Sequence, residues 1–223
     1  MLVKDAFLIL RRAVDPNAAT TGVEITAATL AGTNGEKFTV AQLLDTYNLA
    51  RRTLVNAIKT LEGRKTDRLK GFLLPEVDLS WQNFSTYSTA TIPVGYITLQ
   101  DDETSLRMGS VPLRLREDPG KLLAGNNPEV TQDATTIYAY ERASDFIHYA
   151  NPSGSSLIPT GTYKVDYIGL VDQTTTEIGV ASTTQEGFIE DDVQILISTA
   201  IILARNESNA TLAQKLADEA IKK

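Results

Sequence analysis

The apolar positions of this chain change their period twice. From Phe38 to Gly63 they recur in helical steps. Val40, Leu44, Tyr47, Leu54, Ile58 and Leu61 alternate spacings of four and three, with one slot of the stripe taken by Arg51. Leu43, Ala50 and Ala57 widen the stripe, so the pattern predicts a helix packed into a core rather than a two-stranded seam. Thr39 and Gln42 form a Thr-x-x-Gln capping box at its start, Phe38 and Leu43 a hydrophobic staple, and Gly63 a stop. Upstream, Leu2–Val14 predicts a shorter helix with Val3, Phe7 and Leu10 on one side and Pro16 beyond its end. The intervening Asn17–Lys37 is small, polar and Thr-rich, with turn residues Gly32, Asn34 and Gly35. Val23–Leu30 within it fits a short helix or a strand.

From Gly71 the period drops to two, as in half-buried strands. Leu73–Pro75, Val77–Leu79, Thr89–Ile92, Tyr96–Leu99 and Val111–Arg116 read as extended runs, the last with Leu113 and Leu115 opposite Arg114 and Arg116. Pro119-Gly120 and Gly125–Pro128 read as loops. Thr136–Tyr140, Phe146–Tyr149 and Tyr163–Tyr167 give the clearest alternation and predict a three-stranded meander. Val171–Gly187 is polar and Thr-rich and predicts a long loop.

The helical period returns after Glu190, Asp191 and Asp192, three acids that suit the positive end of a helix dipole. Ile189, Val193, Leu196, Ile197, Ala200 and Ala204 make one face, and Ile195, Ile201, Ile202 and Leu203 add apolar positions elsewhere. Asn206–Asn209 is a break, and Ala210–Lys222 predicts a final, more polar helix. The expected fold is α+β: a helical bundle formed by the N- and C-terminal helices (residues 1–70 and 188–223) with an inserted antiparallel β region carrying long loops (residues 71–187).

Composition narrows the function. With 21 Lys and Arg against 28 Asp and Glu, the formal net charge is −7. This disfavours tight non-specific DNA binding, which needs cations against phosphates. The absence of cysteine excludes disulfides, thiolate metal sites and thiol catalysis. Met1–Val14 lacks the form of a secretory signal, its apolar run being broken by Lys4 and Asp5 and closed by Arg11 and Arg12. No apolar run reaches the ~20 residues of a membrane span. The sequons at Asn83, Asn206 and Asn209 are therefore read as chance matches.

Catalytic patterns are absent. Gly32–Lys37 (Gly-Thr-Asn-Gly-Glu-Lys) has the wrong spacing for a phosphate loop. His148, the single histidine, shares a strand face with Phe146 and reads as a packed ring rather than a base. Asp101-Asp102-Glu103 lacks the ligand spacing of a calcium loop and reads as a solvated turn. The basic stretch Arg64–Lys70 reads as a solvated connector, with subunit contact as a second role. No catalytic, cofactor-binding or metal-ligating residue is assigned, and no cofactor is expected.

The order of elements resembles the head-to-tail adaptor (connector, or head completion) proteins of tailed bacteriophages. Phe38–Leu44 through Asn48–Arg52 resembles their early long helix. Thr91-Ile92-Pro93-Val94-Gly95-Tyr96-Ile97 resembles the proline-centred extended piece that follows. Ile137–Tyr140, Phe146–Pro152 and Tyr163–Tyr167 resemble their tyrosine-rich β block, and the helix after Glu190-Asp191-Asp192 also corresponds. Ala18–Thr33 and Thr174–Thr184 have no counterpart.

The resemblance implies a non-enzymatic virion protein at the neck, made in the host cytoplasm. It implies a homo-oligomeric ring, typically of twelve subunits, attached to the portal and contacting downstream tail, stopper or nozzle proteins. DNA passes through the lumen without specific binding, and no membrane is involved. The alternatives are another neck or tail ring, such as a stopper or tail terminator, and a soluble ligand-binding or enzymatic α+β domain. The apolar surplus after Asp192 is expected to mark a contact surface, with Asp191–Lys223 serving both the bundle and the neighbouring ring.

Overall fold

The computed structural model describes residues 1–15, 38–62, 67–84, 87–108, 111–116, 137–142, 144–149 and 161–205. The Thr-rich segment Ala18–Thr33, the Gly32–Lys37 stretch, Arg64 and Lys65 of the basic connector, the Asn206–Asn209 break and the final helix lie outside the described residues. The chain divides into two compact units. One comprises Met1–Phe72 and Val171–Lys223, the other Leu73–Leu170.

In the first unit, α1 (Val3–Val14) and α2 (Val40–Glu62) both pack against α3 (Glu190–Arg205). The capping box forms as its chemistry requires. The Thr39 N–H donates to Gln42 Oε1 at 2.9 Å, and the Gln42 N–H donates to Thr39 Oγ1 at 3.1 Å. Both groups would otherwise lack partners at the helix start. Thr39→Ala is expected to cost about 1 kcal/mol, seen as a lower urea midpoint with an unchanged slope.

The stripe of α2 is buried at Val40, Leu43, Leu44, Tyr47, Ala50, Leu54, Ala57 and Ile58, and Val55 joins it. Leu61 departs from the expected stripe and is 40% exposed, because the last helical turn runs past the packed core. On α1, Val3, Phe7 and Leu10 are fully buried, with the Phe7 ring edge-on to Tyr47 at 6.0 Å. On α3, Val193, Leu196, Ile197, Ala200, Leu203 and Ala204 are buried, whereas Ile195, Ile201 and Ile202 are only partly covered. Ile189, expected on the inner face, precedes the helix and is half-exposed.

The second unit corrects the expected fold. A helical bundle with an inserted antiparallel β region is not what forms: the strands close into a seven-stranded barrel, with helices at both ends of the chain. The strands are β1 (Leu73–Asn83), β2 (Tyr87–Thr91), β3 (Tyr96–Leu99), β4 (Leu106–Met108), β5 (Val111–Arg116), β6 (Ile137–Arg142), β7 (Asp145–Tyr149) and β8 (Gly161–Gly169). The ring runs β1-β2-β7-β6-β5-β4-β8 and returns to β1, while β3 follows β4 along the same edge of β8.

Two pairings produce closure. β1 is long enough to pair with β2 at one end (Gln82↔Thr89) and with β8 along the rest (Leu73↔Ile168 to Trp81↔Gly161). β5 and β6 pair in parallel, Leu113 opposite Ile137 and Leu115 opposite Ala139, so the sheet is not purely antiparallel. Closure pairs backbone groups that an open sheet would leave along its edges. The expected meander also fails. β6 and β7 form a hairpin, but β7 continues to β2, and β8 pairs with β1, β3 and β4 instead.

The period of two fills the interior. Leu79 and Trp81 of β1, Leu113 and Leu115 of β5, and Tyr163, Val165 and Tyr167 of β8 point inward with Leu99, Leu106, Ala139 and Phe146. Trp81 stands edge-on to Tyr163 at 6.0 Å, and the Tyr163 hydroxyl donates to Met108 Sδ. The core of the barrel is thus packed with side chains, as in other small barrels.

Val171–Gly187, expected as a loop of the β region, groups with the helical unit. It contains neither helix nor strand, and one isolated bridge, Leu2↔Gln185, ties it to the start of α1.

Candidate functional site

Among the described residues, a buried polar arrangement lies where α2 meets this return segment. Arg51 and Arg52 follow Tyr47 and Asn48 by one helical turn, three to five positions, so the two pairs share one side of the helix. Arg51 occupies the slot that interrupts the apolar stripe, and it is buried. Its Nε donates to Glu186 Oε1 at 3.2 Å, and its Nη1 donates to the Val171 carbonyl at 2.7 Å. The Tyr47 hydroxyl donates to Glu186 Oε2 at 2.8 Å, and the Gly187 N–H donates to Oε1 at 3.1 Å. Asn48 closes a two-bond ring with the Gln173 backbone: its Nδ2 donates to the carbonyl at 2.9 Å, and its Oδ1 accepts the N–H at 2.8 Å. Arg52 pairs with Asp172 on the exposed side.

This arrangement holds chain rather than substrate. The Glu186 side chain has no exposed surface, and its two oxygens are taken up by a guanidinium, a phenol and an amide. A general base must reach a proton on a substrate, and Glu186 meets only its own chain. Satisfying every lone pair is what makes a buried ion pair tolerable. No sequence pattern singles out Glu186. Its signal was faint, a single acid before Gly187 at the end of a Thr-rich run.

Burial, reinforced by the Glu186 carboxylate, pushes the Tyr47 phenol far above the usual tyrosine range. Burial and then Glu141 do the same to Tyr96 in the barrel unit. Each folded pKa lies above the unfolded value of about 10, so the folded state holds these protons more tightly. The stability they contribute is complete below that value and is lost as pH rises above it, where the unfolded chain ionises first. The melting temperature is expected to fall from about pH 10 upward. Calorimetry across that range should give a shallower decline for Tyr47→Phe.

The barrel unit carries a charged array on its outer surface. Arg107 lies between Glu76 at 3.0 Å and Asp166 at 2.9 Å, and Lys164 pairs with Asp78 at 2.6 Å. Glu76 occupies a bulge in β1 at φ +55°, a strained conformation for a residue with a side chain. Asp166 Oδ1 accepts its N–H at 2.7 Å, which pins the bulge. Exposed pairs of this kind contribute little net stability, and here each carboxylate already has its cation.

The remaining candidates stand apart from one another. His148 is fully buried on β7. Its Nδ1 donates to the Tyr138 carbonyl at 2.7 Å, so that nitrogen carries a proton. Asp101 folds its own turn: Oδ1 accepts the Glu103 N–H at 3.0 Å and Oδ2 accepts the Thr104 hydroxyl at 2.8 Å. Glu103 pairs with Arg114 at 3.1 Å. In the basic connector, Lys70 pairs with Asp67, while Arg68 reaches Asp192.

Among the described residues, no group of three or more His, Asp or Glu side chains is placed to hold a metal ion. No described helix is long and apolar enough to cross a membrane. No protein-family profile matches the chain, and no curated protein is significantly similar to it.

Proposed function

We propose that this chain is a structural virion protein: an adaptor ring attached to the portal, joining capsid to tail and forming part of the DNA channel. The observation that carries this reading is the order of elements. The long capped helix α2 comes early, and an extended piece with Pro93 between β2 and β3 follows it. Tyrosine-bearing strands β6 to β8 follow, and an acid-started helix after them. The barrel changes how the β region is built without changing that order. The use of buried charge supports a structural role as well. Glu186 and Asp192 are both spent on arginines of their own chain.

Electron microscopy of particles carrying an epitope-tagged chain tests the proposal. Label at the single vertex where capsid meets tail, directly beneath the portal, is the expected result. Label one ring further down would make the protein a stopper, and label at the far end of the tail tube a terminator. Label nowhere on the particle overturns the virion reading and leaves a soluble α+β protein.

A channel subunit must let DNA slide. With a net charge of −7, duplex binding is expected to be weak at physiological salt and independent of sequence, since phosphate neutralisation supplies the affinity. Fluorescence anisotropy with a labelled duplex measures this. Tight binding that persists at high salt would contradict it.

A further inference from the structure

Two stretches of chain connect the units. One leaves the helical unit after Phe72, and the other re-enters it at Val171. Within the barrel unit the stretches run side by side, because Leu73 pairs with Ile168. Within the helical unit both end on the same side chain. Arg51 donates to the carbonyl of Val171, the first residue of the returning chain, at 2.7 Å. The same guanidinium lies over the ring of Phe72, the last residue of the departing chain, 5.7 Å from its centroid.

Further contacts fasten the two stretches to each other. The Phe72 ring meets Phe188 edge-on at 4.7 Å. A Cβ on Gly71 would lie 2.0 Å from the Gly187 carbonyl oxygen, and one on Gly187 would lie 2.7 Å from the Phe72 ring. Glu186, the anion that holds Arg51 in place, is the residue before Gly187. Departing chain, returning chain and α2 therefore converge on one ion pair.

We propose that the Arg51–Glu186 pair is a conformational latch: it fixes both connecting chains to α2, and its release frees them while the helical core stays folded. Arg51 suits the task because its planar fork can serve a carboxylate, a carbonyl and an aromatic face at once. Lysine offers a point charge and lacks that geometry. Phe7, Leu54, Ile58, Val193 and Leu196 are buried residues of the three helices, and none of them is a bonded or ring partner of Arg51 at the connecting chains.

Hydrogen exchange of the full chain tests this. Arg51→Ala alone would leave Glu186 buried without its cation and risks unfolding the unit. The decisive variant is Arg51→Met with Glu186→Leu, which removes both charges and keeps apolar volume, a replacement often neutral for stability. The expected result is at least about tenfold faster exchange at Gln173, whose N–H is held by Asn48 one turn from Arg51 and keeps its acceptor in this variant. The central amides of α2 and α3 should exchange at the unmodified rate. Arg51→Lys should fall between the two proteins. Unchanged exchange at Gln173 overturns the latch. Faster exchange throughout α2 and α3 also overturns it, since Arg51 would then be an ordinary core residue.

Discussion

Leu54→Ala is expected to destabilise the helical unit by about 2–5 kcal/mol. Leu54 is fully buried at the middle of α2 and packs within the unit in which α3 covers that helix. Truncation loses the transfer free energy of the removed carbons and leaves a cavity that long, capped helices close only in part. Domains of ordinary size are stable by about 5–15 kcal/mol, so one residue would consume a large share. Far-UV circular dichroism should show the melting temperature lowered by roughly 2–4 °C for each kcal/mol. Leu61→Ala, seven residues along the same stripe but 40% exposed, is the control. It should stay within about 0.5 kcal/mol. Equal effects at the two positions would mean that burial does not distinguish them.

Arg68→Ala should cost about 3–5 kcal/mol, the usual penalty for stranding one charge of a buried pair. Asp192 is fully buried and Arg68 is partly covered, with Arg68 Nε donating to Asp192 Oδ2 at 3.1 Å and a second bond alongside. Asp192 also lies in the first turn of α3, where the helix dipole favours negative charge. That contribution remains in the variant, so the loss should fall toward the lower end of the range. Arg68→Lys keeps the charge without the two-pronged geometry and should lie between. Asp191→Asn, at the exposed neighbouring position, should change the denaturation midpoint little. If Arg68→Ala behaves like Asp191→Asn, the pair is not what makes a buried Asp192 tolerable.

These two cases show why some of the fold could be read from sequence and some could not. Thr39 and Gln42 are three residues apart, and their bonds depend on nothing distant, so the start of α2 was legible. So was its inner face, because a period of 3.6 is a local property. Asp192 looked the same as Glu190 and Asp191: all three read as dipole-complementing acids at a helix start. What separates Asp192 is Arg68, 124 positions away. No local pattern marks that partnership. Arg51 appeared as a flaw in an apolar stripe for the same reason, since its anion comes from the end of the return segment.

Seven of the eight strands are legible one at a time, β4 (Leu106–Met108) is not, and neither is the pairing of all of them. Tyr163, Val165 and Tyr167 alternate as an inward-facing strand must, yet the alternation is equally compatible with β7 or β1 as a neighbour. Chain proximity favours the hairpin, and that preference produced the expected meander. The bulge at Glu76 and the length of β1 decide the matter by letting β1 run along β8. No site chemistry could be read from the sequence, and the described structure gathers none of the singled-out residues into a reactive cluster. His148, Asp101 and Arg68 each serve a separate local contact.

The helical unit is interrupted in sequence by the whole barrel, and this has a consequence in time. On a ribosome α1 and α2 emerge first, with Phe7, Leu10, Leu54 and Ile58 already displayed. The helix that covers them, α3, begins only at Glu190. At about 5–20 residues per second, synthesis of the intervening chain takes on the order of ten seconds. Throughout that interval two amphipathic helices wait without their partner, and unpaired apolar faces are what chaperones bind and what aggregates. The barrel must also hold β1 open until β8 arrives to close it. Newly made chains are therefore most exposed to misassembly just before α3 appears, and translation stalled there should yield the least soluble product.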